Sequence, residues 1–593
     1  MRKQFAYPFI FLLTLFSASG CSGSNEKHVV IRVLNAADYI YEAEQEGYYC
    51  EECHEYISSK DVKVKTEDEE EIEYHVVIED EEEVIHEVYY DSDMMKQFVS
   101  YMDEKYADEG ITFSYVYDTF DTPETCYNEL KTGKSNYDVI NVSDYMLQKM
   151  MSNDLIQPLF EVSEEAKDIK DNIANNMSRF LWGEESSIFN NIYAKKLDYK
   201  EDEDPYDYKK CLADYSVPYM WGTIGIMYNS SYYEAEAEES GVDIDEEFSS
   251  WDVLYGDFAR NSFSIKDSVR DVYAVSVLHS HKEDISELEK TYHIGEEDED
   301  LQGFNAALTK IFNSCDDDTI ARVKEDMLKL KDNAFGFEVD SGKTDMVAGD
   351  KIGANLAWSG DATWAIYEAE TESDSQISFQ VPKEGSNIWF DAWCIPNVAS
   401  HPEYALDLIN FMSEPDQAIA NMDYVGYTTA TAGDAVLDYM LDSYDVRAEE
   451  EDYPDEPFEE YDITYFFEDS LEEHDIEDAV LHAWLKNTEV TYEEYIDGEL
   501  VDVPYAVQAR MLPAQFPRKE LLPRLCVMDD YGKNNEKVLD MWQNVRTNPL
   551  PIWAVILFIV EGVIALAVIS YFIASKVIRN RLRKIGSLKS RVV

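Results

Sequence analysis

Asp391 carries the clearest chemical signal in this chain, because an indole stands two residues to either side of it in the run at 381–396, VPKEGSNIWFDAWCIP. Pro382, Gly385 and Ser386 read as a turn, and 388–395 as an apolar, aromatic-rich strand. Side chains alternate along a strand, which puts Trp389, Asp391 and Trp393 on one face and Ile388, Phe390, Ala392 and Cys394 on the other. A carboxylate among apolar neighbours is costly unless a cation or hydrogen-bond donor meets it, and an indole face attracts a cation by ~0.5–2 kcal/mol. Such a face suits an organic cation. The same residues also suit an ordinary core in which the aspartate accepts from tryptophan N–H groups. The stretch alone leaves both open.

A second cluster with possible chemistry is CEECH at 50–54. Cys50, Cys53 and His54, with His75 and His86 further along, could complete a zinc site. There is no second CxxC, so the favoured reading is a solvated hairpin and no metal is assigned. GKT at 342–344 is no phosphate loop, since the preceding glycine, Gly336, lies one residue too far away for GxxxxGK[ST]. Neither HExxH nor GxSxG occurs. No catalytic residue, cofactor or enzymatic activity is expected.

Composition narrows the partners. The formal charge is −74, from 123 acidic against 49 basic residues, the wrong sign for nucleic acid. A negative field of this size also gathers small cations. At the N-terminus Arg2 and Lys3 precede an apolar run and then Ala18-Ser19-Gly20-Cys21, a secretory signal with a lipobox-like site that would leave Cys21 lipidated. An ordinary cleaved signal or an uncleaved anchor are the alternatives. Residues 551–573, PIWAVILFIVEGVIALAVISYFI, are long and apolar enough to span a bilayer, and the basic tail at 574–593 places that end in the cytoplasm. Glu561 within the span could be protonated, could pair with a partner helix, or could simply be tolerated. Of the eight cysteines only Cys50 and Cys53 are closely spaced, so no disulfide framework is expected.

The elements that must hold Asp391 alternate between strand and helix. A strand from His28 ends near Asn35, Asp38 and Tyr39; an acidic insertion at about 44–90 reads as a charged β-ribbon. Then come a helical pattern at 94–107, the strand ITFSYVYDTF, a short helix at 122–132, and YDVINVSDYMLQKMM, a strand whose end opens a helix. This is the order of an open parallel sheet, in which ligands bind beyond the carboxyl ends of the strands, where Ser143 and Tyr145 fall. YSVPYMWGTIGIMYN reads as a fully buried strand, 304–332 as helical, and WSGDATWA as a second strand end. A long acidic insertion occupies about 434–499, and a last helix lies at 535–545.

In this order, VLNAADYIYE, YDVINVSDYMLQKM, YSVPYMWGTIGIMYN, SWDVL, WSGDATWA, VPKEGSNIWFDAWCIP, YALDLINFM and VGYTT resemble the periplasmic spermidine/putrescine-binding proteins, the polyamine receptors of ABC importers. The resemblance implies an α/β, two-lobe periplasmic-binding-protein fold (type II-like) with crossover hinges near 218–221, 389–391 and 426–427, plus the C-terminal transmembrane helix. Lobe 1 would comprise 28–217 and 390–427, and lobe 2 218–389 and 428–547, after a lipoprotein-type signal at 1–21. Matched residue by residue, the ligand set would be Asp38, Tyr39, Ser143, Tyr145, Asp271, Trp358, Asp361, Trp389 and Asp391. Asp361, in a W-x-G-D arrangement, resembles the putrescine-preferring branch, where that acid meets an ammonium group. Three positions depart from the pattern: Ala36 stands where the family has a tryptophan, Ser268 where the spermidine branch has an acid, and Met528 where it has a glutamine. These departures favour putrescine over spermidine. The implied protein sits on the outer face of the cytoplasmic membrane, held at Cys21, by the C-terminal helix, or by both, and delivers a polyamine to permease and ATPase subunits. A membrane-anchored sensor or scaffold for another cation, and a metal-binding surface lipoprotein, are the competing expectations.

Overall fold

The computed structural model describes residues 27–547 except 51–52, 54, 68–69, 80–81, 183–211, 340, 350, 373–374, 448–457, 485–490, 497–498 and 505–507. The lipobox and Cys21, His54, the span at 551–573 and the basic tail therefore lie outside the described residues. Among those described, no helix is long and apolar enough to cross a membrane.

Hydrophobic periodicity builds two parallel half-sheets. In the first, Lys27–Ala36 runs parallel to Ile111–Phe120 along its whole length and to Val139–Ser143 on its other side. Helix Met94–Lys105 buries Met94, Met95, Phe98 and Met102, one stripe at helical spacing. In the second, Phe263–Lys266 runs parallel to Gly336–Glu338 and to Ala354–Trp358. The helical stretch expected at 304–332 is two helices, Leu301–Phe312 and Asp317–Asn333. The break falls at Asp316, whose carboxylate caps the second helix by accepting from the N–H groups of Asp318 and Thr319.

Two antiparallel strands join these halves into one eleven-stranded sheet, eight strands of which form a continuous path. Ser216–Asn229 is buried at all fourteen positions, as its unbroken apolar sequence requires when both faces are covered. Its first part pairs with Ser386–Cys394 and its last part, from Ile224, with Ala354–Trp358. The register shifts between Pro218 and Met220, because proline brings no N–H to the ladder. Ser386–Cys394 returns the chain, pairing Asp391–Cys394 with the end of Val139–Ser143. A third short strand, Thr428–Thr429, pairs with Trp221 and Met220. Each half has its own hydrophobic core.

The acidic insertions are folded where described. Residues 47–91 form two three-stranded antiparallel sheets, in keeping with the β-ribbon expectation. The segment 428–547, expected whole in the second lobe, divides: Val436 to Leu525 contribute to the first core and Cys526 to Val545 to the second. The reason lies in the apolar residues among its charges. Tyr461, Phe466, Phe467 and Leu481 are fully buried, and Phe466 stacks on Trp221 of the crossover strand with ring centroids 5.7 Å apart.

Trp221→Ala is expected to lower the unfolding free energy by about 3–5 kcal/mol. Its effect should be non-additive with Phe466→Ala in denaturant titrations of the two single variants and the double variant. Strictly additive losses would show that the insertion does not buttress the crossover.

Candidate ligand-binding site

At the junction of the half-sheets, the strands leave Asp391 in the middle of the sheet path, opposite Ser143 on one side and Met220 on the other. Alternation along Ser386–Cys394 follows the expected pattern, with Ile388, Phe390, Ala392 and Cys394 fully buried and Trp389 and Asp391 half-buried. Trp393 departs from the expected cation-binding face. It is buried in the first core against Tyr219, 5.1 Å between centroids, so the aspartate has one indole beside it rather than two.

Tyr39 meets Asp391 from the first strand's loop, its hydroxyl donating to Oδ2 at 2.8 Å. The loop is held locally: Asn35 Nδ2 donates to the Tyr39 carbonyl at 2.9 Å, and the Tyr219 hydroxyl to the same carbonyl at 3.2 Å. Tyr427 packs edge-on against both Tyr39 and Trp389, at 5.7 and 5.3 Å. Two glycines make room for this wall. A Cβ on Gly360 would lie 2.3 Å from the Tyr427 ring, and one on Gly222 3.0 Å from the Trp389 ring and 2.5 Å from Ser359 Oγ.

The electrostatics are unusual for a sheet interior. Burial raises the Asp391 carboxyl above the usual aspartate range, and hydrogen bonds from Ser143 and Tyr39 only partly oppose it. Asp144, the first residue of helix Asp144–Ser152, is fully buried beside it. Burial pushes Asp144 well up and the charge of Asp391 adds to that, against backbone N–H donation from Tyr145 and Phe390 and the cation Arg270. Asp391 Oδ1 and Asp144 Oδ2 are enclosed and have no hydrogen-bond partner among the described residues. Two adjacent carboxylates thus keep unused acceptor capacity away from water.

The other half of the expected set is arranged differently. Asp361 is not left for an incoming ammonium group: it is buried and its Oδ2 receives the Lys266 ammonium at 2.7 Å, with Glu338 on the same lysine at 3.0 Å and Lys343 at 3.5 Å from Asp361 Oδ1. Lys266 also lies 4.5 Å from the centre of the Trp358 ring. Burial would push this lysine down, but Asp361 and Glu338 outweigh it and the net shift is up. Tyr145 is likewise covered by the chain itself. Arg270, from helix Val269–Ser280, lies 4.5 Å over it and 4.1 Å over Tyr531, while the Tyr145 hydroxyl donates to Glu124 at 3.3 Å. Asp271 is buried; burial raises it, and Ser268, Lys266, Trp358 and Arg270 pull the other way. Asp38 sits exposed at the rim in a left-handed turn, φ 52°.

Of the expected residues, the structure brings Tyr39, Ser143, Trp389 and Asp391 together. Sequence reasoning missed Asp144, Tyr427, Lys266 and Arg270. Asp144 stood between two residues already singled out, and Lys266 was visible as a lone lysine closing an apolar strand.

The model of the bacterial extracellular solute-binding protein family matches residues 98–437, more than half of the chain. The chain belongs to this family. Among curated relatives, the spermidine/putrescine-binding periplasmic protein of Salmonella typhimurium is 26% identical over 315 residues, covering 53% of this chain and 69% of that protein. The putrescine-binding periplasmic protein PotF of Escherichia coli is 25% identical over 323 residues, covering 53% and 70%. Of solved structures, a putative spermidine/putrescine ABC transporter from Listeria monocytogenes aligns over 87% of this chain and 99% of its own, with 17% identity and a TM-score of 0.48. The family is one of solute-binding proteins, not a class of enzymes.

Lys266→Met should destabilise the fold by about 3–5 kcal/mol, because it leaves Asp361 and Glu338 buried without their cation. Thermal or denaturant unfolding checks this. An unchanged stability would mean that the two acids do not depend on the internal lysine.

Proposed function

We propose that this solute-binding protein is the extracytoplasmic receptor of a polyamine ABC importer, which captures its ligand at the junction of the half-sheets and passes it to permease and ATPase subunits. The observation that carries the reading is the Asp391–Asp144 pair, two buried carboxylates with enclosed, unpartnered oxygens, walled by Tyr39, Trp389 and Tyr427. A cation from outside would satisfy that arrangement in place of the protons that burial favours there, and one with an alkyl body suits aromatic walls. The names of the curated relatives support a polyamine as that cation.

The ligand's first ammonium group binds at Asp391 and Asp144, the aliphatic chain lies along Trp389 and Tyr427, and the second ammonium group is met by Asp271 or, at the rim, Asp38. Ser143 and Tyr39 orient the first carboxylate. Trp358 and Tyr145 flank the site through Lys266 and Arg270. Because Lys266 already occupies Asp361, a third ligand ammonium has no buried acid left to it. Ser268 is engaged in capping its own helix, accepting from the Asp271 N–H at 3.5 Å, and supplies no charge. Both features favour putrescine over spermidine. In this reading the chain is held at the outer face of the membrane through Cys21, through the span at 551–573 with its basic tail inside, or through both.

Calorimetric titration of the full-length chain in detergent is expected to give micromolar or tighter putrescine binding, at least ~8 kcal/mol, and weaker spermidine binding. Asp391→Asn should weaken putrescine by roughly 30-fold or more, as loss of a buried charge partner costs about 2–5 kcal/mol. Absence of heat with both polyamines, or full affinity in the variant, would overturn the assignment.

A further inference from the structure

The first acidic insertion brings together Cys50, Cys53, His75 and His86, whose ligand atoms all lie within 4.8 Å of one another. The two cysteines bracket the turn that leaves strand Gly47–Cys50 for Glu55–Ile57, a hairpin in which Cys50 is opposite Glu55. The two histidines are directly opposed across a second hairpin, Glu70–Glu79 with Glu82–Glu87, their rings 5.7 Å apart and nearly perpendicular. Cys53 Sγ is 3.2 Å from His86 Nδ1 and 3.4 Å from His75 Nε2, and Cys50 Sγ is 4.0 Å from His86 Nδ1. A tetrahedral zinc ion with Zn–S of about 2.3 Å and Zn–N of about 2.0–2.1 Å sets S···N separations of about 3.6 Å. The observed distances bracket that edge.

We propose that these four residues form a closed, structural Zn²⁺ site that ties the two small sheets of the insertion together. Two thiolates balance the dication, so the filled site is neutral, which lowers the cost of burying it. Cys50, His75 and His86 are 0%, 8% and 4% exposed, whereas between 44 and 90 the only other buried described residue is Val88. Among the described residues this β-structure buries one aliphatic side chain besides the cluster, and metal ligation is the usual substitute for a small apolar core. Mixed sulfur and imidazole ligands in a tetrahedron select zinc over magnesium or calcium. Four protein ligands leave no open position, so the ion is structural and does not activate water.

The full-length chain is purified under reducing conditions and analysed for bound metal, then stripped with chelator and titrated with Co²⁺. One zinc per chain, and a Co²⁺ spectrum with tetrahedral d–d bands and thiolate charge transfer that saturates at one equivalent, are expected. Cys53→Ser and His86→Ala should each weaken Co²⁺ binding by about 100-fold or more, and chelation should open the insertion to protease while putrescine affinity stays unchanged. An octahedral or absent Co²⁺ spectrum in the native chain would sink the proposal. So would a Cys50–Cys53 disulfide found by mass spectrometry in the native chain.

Discussion

A carboxylate held inside a sheet without a full complement of donors is the constraint on which this structure turns. Asp391 receives the Tyr39 hydroxyl at Oδ2 and a further hydrogen bond from Ser143, and its charge helps to raise Asp144, a second buried acid. In a protein interior such a pair is tolerated only if the surrounding fold over-determines its position, and here it does. The strand carrying Asp391 is paired on both sides, and Tyr39 is pinned through its carbonyl by Asn35 and Tyr219. The fold bears the electrostatic cost that the proposed ligand's ammonium group would offset.

The same logic separates two kinds of buried acid in the molecule. Asp361 and Glu338 share Lys266, so that cluster is complete within the chain and contributes rigidity to the second half-sheet. Asp391 and Asp144 have no equivalent ion-pair partner among the described residues; Arg270 opposes the rise at Asp144 but is itself engaged between Tyr145 and Tyr531 and with the Asp529 carbonyl. Under the proposed function, selectivity would follow from which acids the protein neutralises for itself. A chain with net charge −74 offers carboxylates everywhere, but solvated ones bind cations weakly, and only enclosed ones discriminate.

Much of the fold was legible because its signals are local. The strand ends at Ser143 and Trp358, the buried run at 216–229 and the alternation at 388–394 each follow from side-chain period. What was not legible depends on pairs distant in sequence. That Asp361 meets Lys266 rather than a ligand, and that Arg270 covers Tyr145, are matters of which strand and helix ends converge. Trp393 shares a face with Asp391 by alternation, yet the sheet's twist and the packing of Tyr219 take it into the core. His75 and His86 were visible as possible partners of CEECH, but that they stand directly opposite each other shows only across the hairpin. The second insertion was read as charge alone, since its few aromatic residues show no period strong enough to announce a core.

The most direct test of the central claim is whether putrescine binding expels protons. Burial raises the Asp391 and Asp144 carboxyls, so the ligand-free site holds protons at a higher pH than ordinary aspartates, and an ammonium ion must displace them. Calorimetry of the full-length chain in buffers of different ionisation enthalpy should therefore show net proton release on binding. The release should grow, and the affinity fall, as pH drops through the raised range. Binding with no proton linkage, and an affinity that holds until the ordinary aspartate range near about 3.9, would contradict a site built on this carboxylate pair.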